Sequence, residues 1–332
     1  MKSRIKRALL FADDLLARLS LLLWKESGGL VTVLFHSLFL DEAEVSSAAM
    51  DPQQGITVGQ FRSIVEYFSR MGYIFVSPDD IRNGLAANHR YILVTFDDGY
   101  YNNIRALPIL EEFNIPAVFF ISTDHVDHGK SFWWDVVYRQ LKRQGKSGSE
   151  VIEAVEEYKH LRTEEIEARL IAKFGTEALK PIADADRPFS VEELKEFCFS
   201  KHVILGNHTA NHAILPNYSV AEIHEQIVSC QTRLSDWTGK TPCIIAYPNG
   251  DYSDRIIEEA RSAGLELGIT VEPGRNRVPV GPNRTTAMTL KRFIFWGNRS
   301  IRSQCRACHA DVSLHRTFAR AKRRLSASQL KF

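Results

Sequence analysis

Six short runs of the chain, at 30–35, 73–76, 91–96, 117–121, 203–205 and 243–247, are apolar almost throughout rather than at every second residue. A strand of that kind is buried on both faces, which marks a parallel sheet covered by helices. Amphipathic stretches at 61–70, 104–113, 191–197, 220–237 and 255–263 separate or follow these runs, as an α/β architecture requires. Ser219 with Glu222, and Ser190 with Glu193, have the spacing of capping boxes that start two of those helices. The alternation breaks once, between 131 and 188, where a charged helical pattern (149–180) ends in Pro181 and Pro188. An insertion of that size between two strand–helix units predicts a helical lobe.

The 332 residues are 44% hydrophobic and 25% charged with a net charge of +2, which excludes disordered and disulfide-scaffold classes. A chain of this length buries roughly three quarters of its unfolded surface, so a metal is not needed merely to hold the fold. Five cysteines (Cys198, Cys230, Cys243, Cys305, Cys308) are an odd and sparse set that fits a reducing compartment. Lys2, Arg4, Lys6 and Arg7 precede an apolar stretch like that of a secretory signal, but Asp13, Asp14 and Arg18 interrupt it. No window reaches the ~20 apolar residues of a membrane span. As a helix, 9–24 places Ala12, Leu15, Leu16, Leu19, Leu22 and Leu23 on one side, suited either to packing across the main domain or to lying on a membrane surface. Residues 299–332 carry nine Lys and Arg against Asp311, a net of +8, which leaves −6 for the remainder. A solvated tail is the simplest reading; a basic tail on an acidic body also suits an anionic lipid surface. The tail lacks the interleaved aromatic residues of a nucleic-acid platform, so no nucleic-acid partner is expected. The expected division is an N-terminal amphipathic helix (1–28), a main domain (29–298) with the 131–188 insertion, and a basic tail (299–332). The expected location is cytoplasmic, at the inner membrane surface.

Three strand ends carry chemistry. Thr95-Phe96-Asp97-Asp98-Gly99-Tyr100 sets two carboxylates and a glycine turn where α/β folds place their active sites. Neighbouring residues point different ways, so one Asp can bind a cation while the other stays free as a base. Gly206-Asn207-His208-Thr209-Ala210-Asn211-His212 puts two histidines four apart after another strand. Asp98, His208 and His212 make a two-His, one-carboxylate set, which leaves coordination positions open as catalytic zinc sites do and also suits Fe(II), Co or Ni. Ala246-Tyr247-Pro248-Asn249-Gly250-Asp251-Tyr252 can fix a backbone N–H toward an oxyanion and offer an aromatic wall to a sugar ring.

In this order the three runs resemble the polysaccharide deacetylases with the NodB-homology domain, carbohydrate esterase family four. The resemblance covers roughly 31–294 apart from the insertion. It implies a distorted (β/α) barrel, a divalent metal, usually zinc, and hydrolysis of N-acetyl and sometimes O-acetyl groups on sugars. By position, Asp97 resembles the general base, Asp98, His208 and His212 the metal ligands, and the Tyr247 backbone the oxyanion donor, with Pro248 and Asn249 beside it. The family's third motif usually holds an arginine that orients the base; Ala246 stands near that place, and Arg292 is the substitute. The usual Leu-x-His acid does not follow Leu290. Leu34-Phe35-His36 instead closes the first strand, as in the branch whose acid motif is permuted to the N-terminus, and His36 is assigned as the general acid.

The expected activity is metal-dependent removal of N-acetyl groups from sugars of a surface polysaccharide, oligosaccharide or lipid-linked precursor. Two alternatives fit the same residues: a metal amidohydrolase on a non-sugar amide, and a sugar-binding protein that kept the barrel but lost turnover. Three further clusters carry weaker readings. Asp124-His125-Val126-Asp127-His128 reads as surface polar residues, and Phe132-Trp133-Trp134-Asp135 as the anchor of the insertion or a sugar platform. Cys305 and Cys308 read as a redox pair or as incidental cysteines.

Overall fold

The computed structural model describes residues 2–23, 28–47, 49–280 and 285–310. Eight strands form one parallel sheet: β1 (Gly29–Phe35), β2 (Ile74–Phe75), β3 (Arg90–Phe96), β4 (Ala117–Ile121), β5 (Val203–Asn207), β6 (Ile244–Ala246), β7 (Leu267–Ile269) and β8 (Phe293–Ile294). Their order is β8-β1-β3-β4-β5-β6-β7, with β2 beside the first half of β3. The longest ladder pairs β1 with β3 from Gly29 opposite Arg90 to Phe35 opposite Phe96. Side chains along these strands alternate between two buried sets. Val31, Val33, Ile92, Val94 and Phe119 pack with the surrounding helices, and Leu30, Tyr91, Leu93, Val118 and Phe120 pack with Ile244 and Leu267 on the other face. Burial on both faces is why the runs read as continuously apolar.

The sheet curls until its edges meet. The segment entering β8 bonds back to β7: Thr270 N–H donates to the Leu290 carbonyl (2.9 Å), Leu290 N–H to Gly268 (2.8 Å) and Arg292 N–H to Glu272 (2.9 Å). The result is the expected distorted (β/α) barrel. Strand β7, with Gly268 at its centre and Glu266 before it, and strand β8, which follows Lys291 and Arg292, were not among the expected runs.

Around the barrel lie α1 (Lys2–Leu23), α2 (Val58–Arg70), α3 (Trp133–Arg143), α4 (Gly148–Tyr158), α5 (Thr163–Phe174), α6 (Val220–Thr238) and α7 (Ile301–Ala310), with shorter helices between them. Both expected capping boxes form, at Ser190 and at Ser219 where α6 begins. Helices α3 to α5 make up the insertion and bury their own apolar set, including Phe132, Trp133, Val136, Ile166 and Leu170. Its two ends are stapled by a buried ion pair, Arg139 Nη1 to Asp186 Oδ2 at 2.6 Å, and Asp186 also accepts from Ser131 Oγ (3.0 Å) and Ala183 N–H (2.8 Å). Replacing Asp186 with Asn removes the charge and keeps an acceptor. It leaves Arg139 buried without its counter-charge, and breaking a buried ion pair from one side costs about 3–5 kcal/mol, so D186N is expected to lose about that much stability in chemical denaturation.

Two expectations need correction. Residues 299–310 are not part of a tail: α7 packs on the body with Cys305 and Cys308 buried in the core. Helix α1 does pack across the main domain, but through its polar side. Asp14 accepts from Arg306 (2.7 Å) and Ser303 (2.9 Å) of α7, and Asp13 and Ala17 are buried, while Leu15, Leu19, Leu22 and Leu23 face outward. Three hydrogen-bond donors around one carboxylate outweigh the leucines as the docking face. Trp24 and residues 311–332 lie outside the described residues.

Partial burial raises the Asp14 pKa, but hydrogen bonds from Arg306, Ser303 and Arg18 together hold it below its ordinary value. A carboxylate depressed on docking contributes stability above its undocked pKa of about 3.9 and loses it as pH falls further. Hydrogen exchange of the α1 amides is therefore expected to accelerate on acidification below about pH 4, ahead of the barrel strands.

Candidate active site

The strand ends gather the site at one mouth. Asp97 follows the last residue of β3, and its backbone N–H donates to the Phe35 carbonyl at 2.9 Å, which ties it to the end of β1. Its carboxylate is 3% exposed and meets Arg292 in a two-pronged pair, Nη1 to Oδ1 and Nη2 to Oδ2, both at 2.7 Å. Arg292 is fully buried and is itself held by the Thr270 carbonyl (Nε, 3.0 Å) and Thr95 Oγ1 (Nη1, 3.3 Å). Burial alone would push the Asp97 carboxyl up, but the Arg292 charge, with His208 nearby, holds it below the ordinary value. Asp97 is thus kept ionised although it is buried.

Asp98, His208 and His212 converge beside it. Asp98 Oδ1 lies 3.4 Å from His208 Nε2 and 3.5 Å from His212 Nε2, and all three residues are buried. His208 Nδ1 is 2.7 Å from the Ala246 carbonyl, so the hydrogen-bond pattern assigns the proton to Nδ1 and directs the Nε2 lone pair at the cluster. Neither Asp98 oxygen has a hydrogen-bond partner. An ionised carboxylate this deeply buried demands compensation. Burial works against ionisation of Asp98, yet the surrounding His36, His208 and His212 hold its pKa at about 2. These carboxylates also raise the His208 pKa against the effect of its burial. An orphaned carboxylate, two inward imidazole nitrogens and a field that favours positive charge fit a divalent cation. It is the only such group of ligands among the described residues.

The backbone is strained where these ligands sit. Asp98 (φ 78), Thr209 (φ 63), His212 (φ 46) and Asn249 (φ 58) all adopt left-handed conformations without being glycine. Such residues persist only where surrounding contacts fix them, and they gather at functional sites. The contacts here are specific. Thr209 N–H donates to Asn207 Oδ1 (2.8 Å), Ala213 N–H to Thr209 Oγ1 (2.8 Å) and Asn207 Nδ2 to the Ile227 carbonyl of α6 (2.9 Å). Gly206 is required because a Cβ there would lie 2.4 Å from the Phe120 ring.

A cavity of about 300 Å³ opens onto Asp97, Asp98, His208 and His212 and is lined by His36, Tyr247 and Asn249 as well. His36 leaves the end of β1 with its backbone N–H on Gln54 Oε1 (3.0 Å), and its buried Nδ1 has no partner. The Tyr247 backbone needs correction as an oxyanion donor: its N–H already donates to the Ile269 carbonyl at 3.2 Å, continuing the β6–β7 ladder. Pro248 follows without an N–H, and Asn249 reaches the cavity instead.

The insertion is part of the site. Trp133, Trp134, Val155 and Lys159 line the cavity, and the Trp134 ring packs edge-on to His212 with centroids 4.6 Å apart. Trp134 Nε1 donates to Tyr100 Oη (2.9 Å) and Tyr100 to Asp135 Oδ2 (2.7 Å), so the aromatic run is both anchor and wall. Lys130 bridges Glu167 of α5 (2.8 Å) and Asn211 (2.7 Å), which braces the loop carrying His212. Asp51, Gln53, Val155 and Lys159 also line the cavity, and no sequence motif marked them. His125 is not a surface residue: it is fully buried and stacked on Phe132 at 4.0 Å, whereas Asp127 and His128 are exposed. Cys305 and Cys308 are packing residues. Neither joins a ligand cluster among the described residues, and burial pushes the Cys305 thiol well above its ordinary pKa.

A curled parallel barrel with this centre at the strand ends is the architecture of a (β/α)-barrel deacetylase. The family model for polysaccharide deacetylases matches residues 85–268, more than half of the chain. The chain belongs to the polysaccharide deacetylase family. A Bacillus subtilis (strain 168) protein with a provisional polysaccharide deacetylase name is 20% identical over 221 residues, 65% of this chain and 58% of that protein. The chain thus spans under two thirds of that relative's length. Among solved structures, the Streptococcus pyogenes deacetylase PplD, in complex with acetate, is similar at 17% identity and a TM-score of 0.56, over 85% of this chain and 99% of that one. IcaB from Ammonifex degensii is similar at 19% identity and a TM-score of 0.56, over 86% and 99%. At these identities the structures establish the fold.

Proposed function

We propose that this protein is a divalent-metal-dependent hydrolase that removes N-acetyl groups from sugars of a surface polysaccharide, oligosaccharide or lipid-linked precursor. One observation carries the reading: the ionised, arginine-clamped Asp97 stands beside a buried Asp98–His208–His212 cluster whose carboxylate oxygens have no partner. Asp98 and the two histidines would hold the cation, with zinc the best match to the donor set and Co, Ni or Fe(II) also accommodated. A cation there supplies a Lewis acid and lowers the pKa of a water. Asp97 takes the proton of the attacking water, and Arg292 fixes the direction of its lone pairs. His36, which also lines the cavity and has an unpartnered Nδ1, donates a proton to the amine nitrogen as the C–N bond breaks. Trp133, Trp134 and Asn249 line the space that the sugar would fill.

The test is metal content per chain, measured alongside acetate release from N-acetylglucosamine oligomers. One divalent ion per chain in the wild type, lost in both Asp98→Asn and His212→Ala together with acetate release, is the expected result. Full metal content in both variants would remove the cluster from the mechanism. His36→Gln is expected to keep the ion and lower kcat about 10²-fold, the lower end for a general acid.

A further inference from the structure

Helix α1 presents an apolar stripe that no element among the described residues covers. Leu15, Leu19, Leu22 and Leu23 are 49%, 43%, 81% and 67% exposed, four of the ten large apolar side chains most exposed among the described residues. Their i, i+4, i+7, i+8 spacing puts them on one face of the helix. The opposite side is occupied: Asp13 and Ala17 are buried, and Asp14 is held by Arg306 and Ser303 of α7. The docking therefore fixes α1 with its leucines outward.

Charge identifies what the stripe meets. The same helix begins with Lys2, Arg4, Lys6 and Arg7, and Arg18 and Arg302, on α1 and α7, are exposed. Residues 1–23 and 299–332 together hold 14 Lys and Arg against three acids, whereas the rest of the chain holds 28 against 37. Arg302 and Arg306 are on α7, the element α1 packs on. A leucine stripe in basic surroundings, on a body of opposite sign, has the chemistry of a helix lying in the headgroup region of an anionic bilayer. No helix among the described residues is long and apolar enough to cross a membrane.

We propose that α1 is a docking helix that seats the protein on an anionic lipid surface through Leu15, Leu19, Leu22 and Leu23. No described residue of α1 lines the candidate catalytic cavity.

The full chain would be titrated with phosphatidylcholine vesicles containing phosphatidylglycerol, and with phosphatidylcholine alone. Expected are binding to the anionic vesicles only, weakening as salt is raised from about 0.1 to 0.5 M, and a loss of about tenfold or more in Leu19→Glu/Leu22→Glu. Because both positions are exposed, that variant is expected to keep the wild-type melting temperature and metal content. Equal binding to both vesicles, or anionic binding that the double substitution leaves unchanged, overturns the proposal. So does absence of vesicle binding with a wild-type dimer in sedimentation that the double substitution splits, which would make the stripe a contact between copies of the chain.

Discussion

Asp97→Asn is expected to lower kcat about 10⁴-fold, the upper end for loss of a general base, while the metal content of the protein stays at one ion per chain. The argument rests on which atoms the substitution changes. Asn keeps the size of the side chain and one oxygen for Arg292, and leaves Asp98, His208 and His212 untouched. It removes the negative charge and the basic lone pair aimed into the cavity. Arg292 is left fully buried without its counter-charge, so a loss of stability is expected beside the loss of kcat. Acetate release at the wild-type rate from this variant would show that another group takes the proton. Metal loss together with activity would mean that Asp97 supports the cation rather than the water.

The alternation of apolar runs was enough to place six of the eight strands of the barrel sheet. Five are buried nearly throughout and cannot hide their composition, whereas β2 is a partly exposed pair of residues inside an apolar run. The carboxylates and histidines of the candidate site were equally legible, since Asp97, Asp98 and His208 stand within three residues of such a run and His212 is four beyond His208. Neither closure of the barrel nor the clamp on Asp97 could be derived from spacing. Arg292 is 195 residues from Asp97, and what brings them together is the bonding of the segment at 290–292 back to the edge strand β7. The family resemblance suggested Arg292, but local pattern offers no reason for an arginine there. The cavity wall was the least legible part. Asp51 and Gln53 come from a loop, Lys159 and Val155 from the insertion, and only tertiary packing joins them. Helix α1 shows the opposite limit. Its pattern marked a leucine face correctly, yet three polar contacts to Asp14 decided which face would dock.

The second large effect expected is on stability. Arg292→Leu leaves Asp97 buried beside an apolar side chain, and breaking a buried ion pair from one side costs about 3–5 kcal/mol. Burial already works to raise the Asp97 pKa, and the Arg292 charge is the main influence opposing it. In the variant Asp97 is expected to hold its proton to higher pH, so that base function fails as well. In the wild type, a carboxyl depressed below its unfolded value adds stability above that value and loses it as pH falls through the folded pKa. The dependence of stability on pH over the acid range should therefore flatten or reverse in Arg292→Leu. The double substitution Asp97→Leu/Arg292→Leu separates folding from catalysis, because replacing both members of a buried pair with apolar side chains is often neutral or stabilising. Denaturant titration is expected to place the double variant closer to the wild type than to Arg292→Leu, with no acetate release. If the double variant is instead the less stable of the two, the pair is not what Arg292→Leu breaks, and the bonds of Arg292 to Thr270 and Thr95 that hold β7 and β3 together would be the larger contribution.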